Sequence, residues 1–542
     1  EQSDFIFSKG LDQHYKVRYP CVISEDDFYD KWLGILSEVV DRGVDEVYVL
    51  PDEWYFKGHY LPDTDCPPCR KGFEERYGYE KLPQKVDDTE KYRKWKLFEY
   101  REIAELYNDI AGQLEKKDPE LDLIFSGSLY PSSNTRMEHG TALDIYGQQP
   151  NFTSAMVYGG DPKRARGAFP DLTLEGSIQT LGTKSAQRFP IVFYDYLMNL
   201  LMNGCTNINF YRLNYVQPYW KTAVKAFKMM RLLESWDIEQ TESAAETCVL
   251  MSRASEDWWQ LKASCRILDH INRKDSNLLY MDPRELAVVW SKTREKSDPD
   301  PEVRRYQIER FRGMYCTKYA ENMLESNGIQ YDMRYSERPG TLQNLDRYKL
   351  VILPFNYSMP SATRDALARA LEAGTRVLVY KYLGETDEFG VERDTPLLKP
   401  LLDHENVTYV ETDLLDVWTS RVARRQNVTL VRKLLDSPHY FHPRTAEMRY
   451  LARKYPDGGF ILYVGNKERL SNASPVIGLP LDGGRYDVTI CSSRRGDVDE
   501  IGLNRGHVRG ATRVPAKSLR RFQVHLHPGE MQLIRIRPIT DN

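Results

Sequence analysis

Cysteine is scarce in this chain, eight in 542 residues, which excludes a small scaffold held together by disulfides. An excess of one charge is also missing. Lys+Arg 75 nearly balance Asp+Glu 79, for a formal net charge of -4 and a pI near 6.3. The basic residues are scattered, so no positive stripe is set out for nucleic acid. No apolar run reaches membrane-spanning length. The longest candidate, 189–202, is interrupted by Pro190, Asp195 and Asn199 and reads as a buried helix. Internal repeats and low-complexity tracts are absent. So are an initiator Met and a signal peptide, and the expectation is that a segment upstream of Glu1 has been removed. Aromatic residues, by contrast, are abundant at 12%, with 35 Tyr and 9 Trp, a supply that suits sugar stacking and large cores alike. Five N-x-[ST] sequons, at Asn151, Asn356, Asn406, Asn427 and Asn472, hint at export.

A chain of 542 residues exceeds one compact core, so two to four domains are expected. From about 20 to 235 strand and helix signals alternate. An amphipathic helix is predicted over 26–42, with Phe28, Trp32, Ile35, Leu36 and Val39 on one face. Strands are predicted at 46–50, 121–125, 142–146, 172–174 and 207–211, with helices over 91–117 and 190–203 between them. This alternation implies a parallel sheet, five strands of an eight-stranded (β/α)8 barrel. A second α/β region, 246–435, has strands at 249–251, 350–354 and 377–380 and helices over 309–326 and 362–373. It reads as a flavodoxin-like or amidotransferase-like module. No cysteine in it sits in a strand-to-helix elbow, and Cys316, in mid-helix, reads as a packing residue. From about 445 onward, short alternating runs at 460–464, 486–490, 523–526 and 531–536 read as a small β-sandwich. The division is therefore 1–240, 241–440 and 441–542.

Two glutamates stand where apolar strand-like runs turn polar: Glu53 after 47–50, and Glu175 after 172–174. In a barrel of this kind that point is the C-terminal rim, where catalytic side chains gather. Two carboxylates there can flank a glycosidic bond, one as acid and one as nucleophile; equally, acids are common at strand ends.

The residues around them resemble a known family. Tyr19-Pro20-Cys21, Asp52-Glu53-Trp54, Cys66-Pro67-Pro68-Cys69-Arg70-Lys71-Gly72-Phe73 and Arg76-Tyr77-Gly78 are similar to the strand end, cysteine cluster and helix of family 42 β-galactosidases. Asp144-Ile145-Tyr146, Leu174-Glu175 and Phe210-Tyr211-Arg212 resemble that family's sixth, seventh and eighth strand ends. The resemblance implies that Glu53 is the acid/base and Glu175 the nucleophile of a retaining mechanism on a β-galactoside or related pyranoside. Trp54 would help desolvate Glu53, and Tyr146 would donate a hydrogen bond to Glu175 or else be a core tyrosine. Arg212 would clamp sugar hydroxyls and a carboxylate or form a structural ion pair. It further implies a trimer built through the second domain, a cytoplasmic location, and a structural zinc on Cys21, Cys66 and Cys69.

Three features depart from that pattern. Asp52 stands where the family has Asn, so the 2-hydroxyl of the sugar meets an acceptor that cannot donate. The first cysteine of the cluster is replaced by Thr64, leaving either an atypical zinc site or plain thiols. The first three barrel strands have no counterpart, and open sheet edges are avoided by soluble proteins. An upstream fragment or a partner chain completing the barrel is therefore expected. The alternative class is a non-catalytic carbohydrate-binding or scaffold protein with the same architecture.

Overall fold

The computed structural model describes residues 7–9, 18–20, 26–49, 67–84, 87–125, 142–158, 162–178, 190–210, 220–271, 308–437, 441–443, 447–468, 470–493 and 509–539. A short antiparallel pair, β1 (Phe7–Lys9) and β2 (Arg18–Pro20), precedes helix α1 (Asp26–Asp41). Strands β3 (Glu46–Val49), β4 (Asp122–Phe125), β5 (Ser154–Tyr158), β6 (Thr173–Ile178) and β7 (Cys205–Phe210) then lie side by side in chain order, all parallel. Helices α2 (Pro67–Tyr77), α3 (Glu90–Lys117), α4 (Leu143–Tyr146), α5 (Pro162–Ala168), α6 (Pro190–Met202) and α7 (Trp220–Glu234) fall between and after them.

Local chemistry fixes these pieces. The Thr89 hydroxyl accepts from the Tyr92 amide at 3.3 Å, Glu90 sits in the first turn of α3, and Lys116 and Lys117 sit in its last, each matching the helix dipole. In the sheet, alternation sends Val47, Leu123, Ala155, Val157 and Leu174 to the helix-covered side, where all are buried. Tyr48, Asp122, Ser154, Glu175 and Asn207 occupy the other side. Gly176 belongs to the covered side because α6 presses on it. A Cβ there would come within 2.7 Å of both Leu200 Cδ1 and Ile208 Cδ1. We expect Gly176→Val to destabilise the fold by about 1–3 kcal/mol, read as a lower thermal midpoint; an unchanged midpoint would show that α6 can recede freely.

Two sequence expectations are corrected here. The run 142–146 is a turn of helix, with the Ile145 and Tyr146 amides both bonded to the Ala142 carbonyl, while a strand at 154–158 was not foreseen. A five-residue, mostly apolar run that is buried all round carries no periodicity to separate the two. On α1, Trp32 and Leu36 do pack inward, together with Val40, but Ile35 is 60% exposed and Val39 37%. Those two are left uncovered by the described residues.

The second region holds strands β8 (Glu242–Ser243) and β9 (Thr247–Met251), helices α8 (Arg253–Ile271) and α9 (Arg312–Glu325), and strands β10 (Tyr331–Tyr335) and β11 (Leu350–Leu353). Helix α10 (Ser361–Glu372), strands β12 (Arg376–Tyr380) and β13 (Val407–Val410), and helices α11 (Leu414–Thr419) and α12 (Arg421–Leu435) follow. Its parallel sheet runs β10-β9-β11-β12-β13. Cys316 is fully buried, and burial pushes its thiol pKa well up. The last region has β14 (Phe441–His442), β15 (Met448–Lys454), β16 (Phe460–Asn466), β17 (Val476–Gly478), β18 (Arg485–Ser492), β19 (Arg509–Pro515), β20 (Arg521–Gln523) and β21 (Met531–Pro538). They form antiparallel sheets ordered β14-β17-β20 and β19-β18-β21-β16-β15-β8, the latter borrowing β8 from the preceding region. The predicted loop at 293–302 lies outside the described residues.

Buried ion pairs join the regions. Arg253 Nε donates to Asp144 Oδ2 at 2.9 Å, and Arg164 Nη2 donates to Glu321 Oε1 at 2.7 Å. Asp195 on α6 takes Arg449 Nε at 3.1 Å and the Tyr463 hydroxyl at 3.1 Å. Among the sequons, Asn356 is fully buried. Asn427 is buried too, with Oδ1 accepting from the Tyr380 hydroxyl at 2.8 Å and Nδ2 donating to the Ala423 carbonyl at 3.0 Å. No helix of the described residues is long and apolar enough to cross a membrane.

Candidate active site

Glu175 is the third residue of β6 and is 1% exposed. The sequence placed it just past a strand ending at 174. The strand instead continues through Gly176-Ser177-Ile178, paired to β5 and β7, so the carboxylate projects from within the strand. The apolar run closes at Leu174, but pairing to β5 through Ser177 and to β7 through Ile178 extends the strand.

Two donors hold the carboxylate. The Tyr48 hydroxyl donates to Oε2 at 3.1 Å and Asn207 Nδ2 to Oε1 at 3.5 Å. Asn207 lies directly beside Glu175 in register, but Tyr48 is on β3, with β4 and β5 between. In a flat sheet three strand spacings amount to roughly 14 Å, beyond the reach of two side chains standing upright. The sheet must therefore curl with its polar face inward. Glu46 and Asp122 lie on that same face at the N-terminal ends of β3 and β4.

Burial is the largest influence on Glu175 and raises its pKa above the ordinary glutamate value. The bonds from Asn207 and Tyr48 pull it back by favouring the charged form, and the negative field of Glu46 and Asp122 raises it further. Since the folded pKa lies above the unfolded one, the protonated carboxyl is the form the fold prefers. That contribution is complete below the unfolded pKa and is lost as pH rises through the folded one. Reactivity as a nucleophile has the opposite requirement, since only the ionised form attacks. Tyr48→Phe removes a donor to the charged form, so any activity that needs ionised Glu175 should show its acidic limb displaced to higher pH. A pH–rate profile of kcat/KM checks this, and an unmoved or lowered limb would count against Glu175 as the titrating group.

The other expected site residues divide. Tyr146 is fully buried on α4, away from the strand end at which it was expected. The described donors to Glu175 are Tyr48 and Asn207. The neighbouring Asp144 is committed to Arg253 instead. Cys69 is buried on α2 beside Phe73. Glu53, Asp52, Trp54, Arg212, Cys21 and Cys66 lie outside the described residues. Among the described residues no group of three or more His, Cys, Asp or Glu is placed to hold a metal ion. The residues that sequence reasoning missed, Tyr48 and Asn207, sit at alternate positions in Val47-Tyr48-Val49 and Asn207-Ile208-Asn209. A polar residue alternating with apolar ones in a strand marks the uncovered face.

No protein-family pattern and no curated protein sequence matches the chain. Solved structures do match along almost all of it. A β-galactosidase from Bacillus circulans sp. alkalophilus superposes with TM-score 0.62 at 12% identity, over 98% of this chain and 86% of that one. A catalytic mutant of Gan42B, a family 42 β-galactosidase from G. stearothermophilus, gives TM-score 0.55 at 11% identity over 98% and 85%. α-L-Fucosidase isoenzyme 2 from Paenibacillus thiaminolyticus gives 0.56 at 13% over 97% and 82%. The chain thus has a fold similar to that of the family 42 β-galactosidases.

Proposed function

We propose that this chain is a retaining glycoside hydrolase acting on a β-galactoside or related β-pyranoside. The observation that carries the reading is Glu175: a buried carboxylate on the inner face of a curled parallel sheet, held by two side-chain donors, in a fold shared with glycosidases. In the mechanism, ionised Glu175 attacks the anomeric carbon while Glu53 protonates the departing oxygen. The glycosyl ester on Glu175 is then hydrolysed by a water that Glu53 deprotonates. Tyr48 and Asn207 keep Glu175 ionised and aimed. Asp52 and Arg212 would meet sugar hydroxyls, and Trp54 would keep water from Glu53. An activated 2-deoxy-2-fluoro-β-galactoside should leave its sugar esterified to Glu175, found by peptide mass mapping. Label on another carboxylate, or turnover without a trapped ester, would overturn the assignment.

The five strands are read as the last five of a (β/α)8 barrel. Their parallel succession in chain order and the reach of Tyr48 to Glu175 support this. Apolar side chains are exposed on the helices that adjoin the outer strands in the chain, Ile35 and Val39 on α1 before β3 and Trp220 and Val224 on α7 after β7. The edges of those strands suit three further strands from another segment or chain. The second sheet, in the β10-β9-β11-β12-β13 order of flavodoxin-type folds, is assigned to trimer formation, and the last region to a β-sandwich. Light scattering on the purified protein tests the trimer: a mass near that of one 63.2 kDa chain refutes it. A zinc on Cys21, Cys66 and Cys69 belongs to the same reading, and elemental analysis without stoichiometric zinc removes it. The second reading, a non-catalytic carbohydrate-binding scaffold, rests on Asp52 in place of the family's Asn.

A further inference from the structure

Helices α9, α11 and α12 enclose a groove of about 680 Å³ far from Glu175 in the chain, within the size range of ligand sites. Its wall carries four arginines, Arg421, Arg424, Arg425 and Arg432, and no acidic residue. Arg432 donates to the Asn327 carbonyl at 3.1 Å. Arg421, Arg424 and Arg425 form no ion pair with a described residue. Three arginines crowd the first two turns of α12, the end of a helix where the dipole favours acids. Their mutual repulsion goes unrelieved within the described structure.

Between the arginines the groove is lined by Met323, Leu414, Val417, Val428 and one aromatic residue, Trp418. The Trp418 ring lies parallel to that of Tyr319, with centroids 4.8 Å apart and planes 7° apart, and Tyr315 continues the stack at 6.2 Å. The Arg424 guanidinium sits 5.2 Å from the Trp418 centroid, a stacking that fixes its plane. Guanidinium forks bind sulfate or carboxylate through paired hydrogen bonds.

We infer that this groove is a second carbohydrate site, which holds an anionic oligosaccharide by its sulfate esters or uronate carboxylates on Arg421, Arg424 and Arg425. The choice of a sugar rests on the glycoside reading above; the choice of an anion does not. The site would retain a charged polymer on the second domain while its terminus is cut elsewhere.

The test is isothermal titration of the full chain with three probes: a sulfated galactan hexasaccharide, its desulfated form, and an oligogalacturonate of equal length. The expectation is binding of at least one charged probe and none of the neutral one. Arg421→Gln/Arg424→Gln/Arg425→Gln should weaken that binding by roughly tenfold or more. A control, Arg364→Gln/Arg369→Gln/Lys399→Gln, removes the same charge from exposed positions elsewhere on this domain and should bind as the parent does. Preference between sulfate and carboxylate names the anion. Equal weakening by both triple variants would overturn the site in favour of overall charge, as would a lack of binding by every probe. Hydrolysis of an aryl β-galactoside, measured alongside, should be the same in both variants. If it is absent throughout while the groove binds, the hydrolase reading fails and the anion site stands.

Discussion

Glu175→Gln should reduce turnover of an activated aryl β-galactoside by roughly 10⁴-fold or more, the scale seen when a covalent nucleophile is removed. Glutamine is nearly isosteric and can still meet Tyr48 and Asn207, so the fold should survive and the loss should fall on kcat. Glu53→Gln should behave differently. A good leaving group needs little protonation, so activated aryl glycosides should retain far more rate than natural glycosides, and azide should restore turnover by attacking the ester. Steady-state kinetics on the two substrate types make the comparison. Equal losses on both would remove Glu53 as the acid, and a fully active Glu175→Gln would remove the nucleophile.

Arg253→Met should be among the most damaging substitutions to stability. Arg253 and Asp144 are both almost fully buried, with Nε to Oδ2 at 2.9 Å. Asp257 lies 3.5 Å from Nη1, and Glu337 contributes to the same field. Glu337 also accepts from the Ser252 hydroxyl and from the amides of Arg253 and Ala254, at 2.8–3.1 Å. With the guanidinium gone, three carboxylates would share one dry pocket, and breaking a buried pair from one side costs about 3–5 kcal/mol. Denaturant unfolding near neutral pH should show this loss, partly recovered at acid pH, where the stranded carboxyls can take up protons. A variant as stable as the parent would mean that water reaches the pocket freely.

The long elements were legible in the sequence because they repeat a period many times. The helix expected over 91–117 is α3, and that expected over 190–203 is α6, each within a residue or two. The short ones were not. Ala142–Tyr146 and Ser154–Tyr158 are both five-residue, mostly apolar runs with one polar residue; the first is helical and the second a strand, a choice made by neighbours distant in sequence. The same holds at the site. Glu175 was visible as an acid at the close of an apolar run, yet its partner Tyr48 lies 127 residues away, and only the curl of the sheet brings the two together. Asp144 stands in a triplet that resembles a strand end, which by itself assigns the residue no partner. Its actual role, pairing with Arg253, depends on the docking of two regions that local patterning does not encode.

The burial of Asn356 and Asn427 bears on where this chain can be made. In a secretory pathway that attaches glycans, transfer to an Asn-x-Ser/Thr site takes place on the nascent chain, before the fold has closed around it. A glycan is bulky and must remain at the surface. Asn356 is enclosed at the end of β11, and Asn427 is bonded to Tyr380 and Ala423. Neither niche admits a glycan, so a glycosylating host would produce molecules unable to finish folding. Asn356→Gln and Asn427→Gln would block the modification only by disturbing the packing around each side chain. Replacing Ser358 or Thr429 instead would abolish acceptance, and of the two Thr429 is the exposed one.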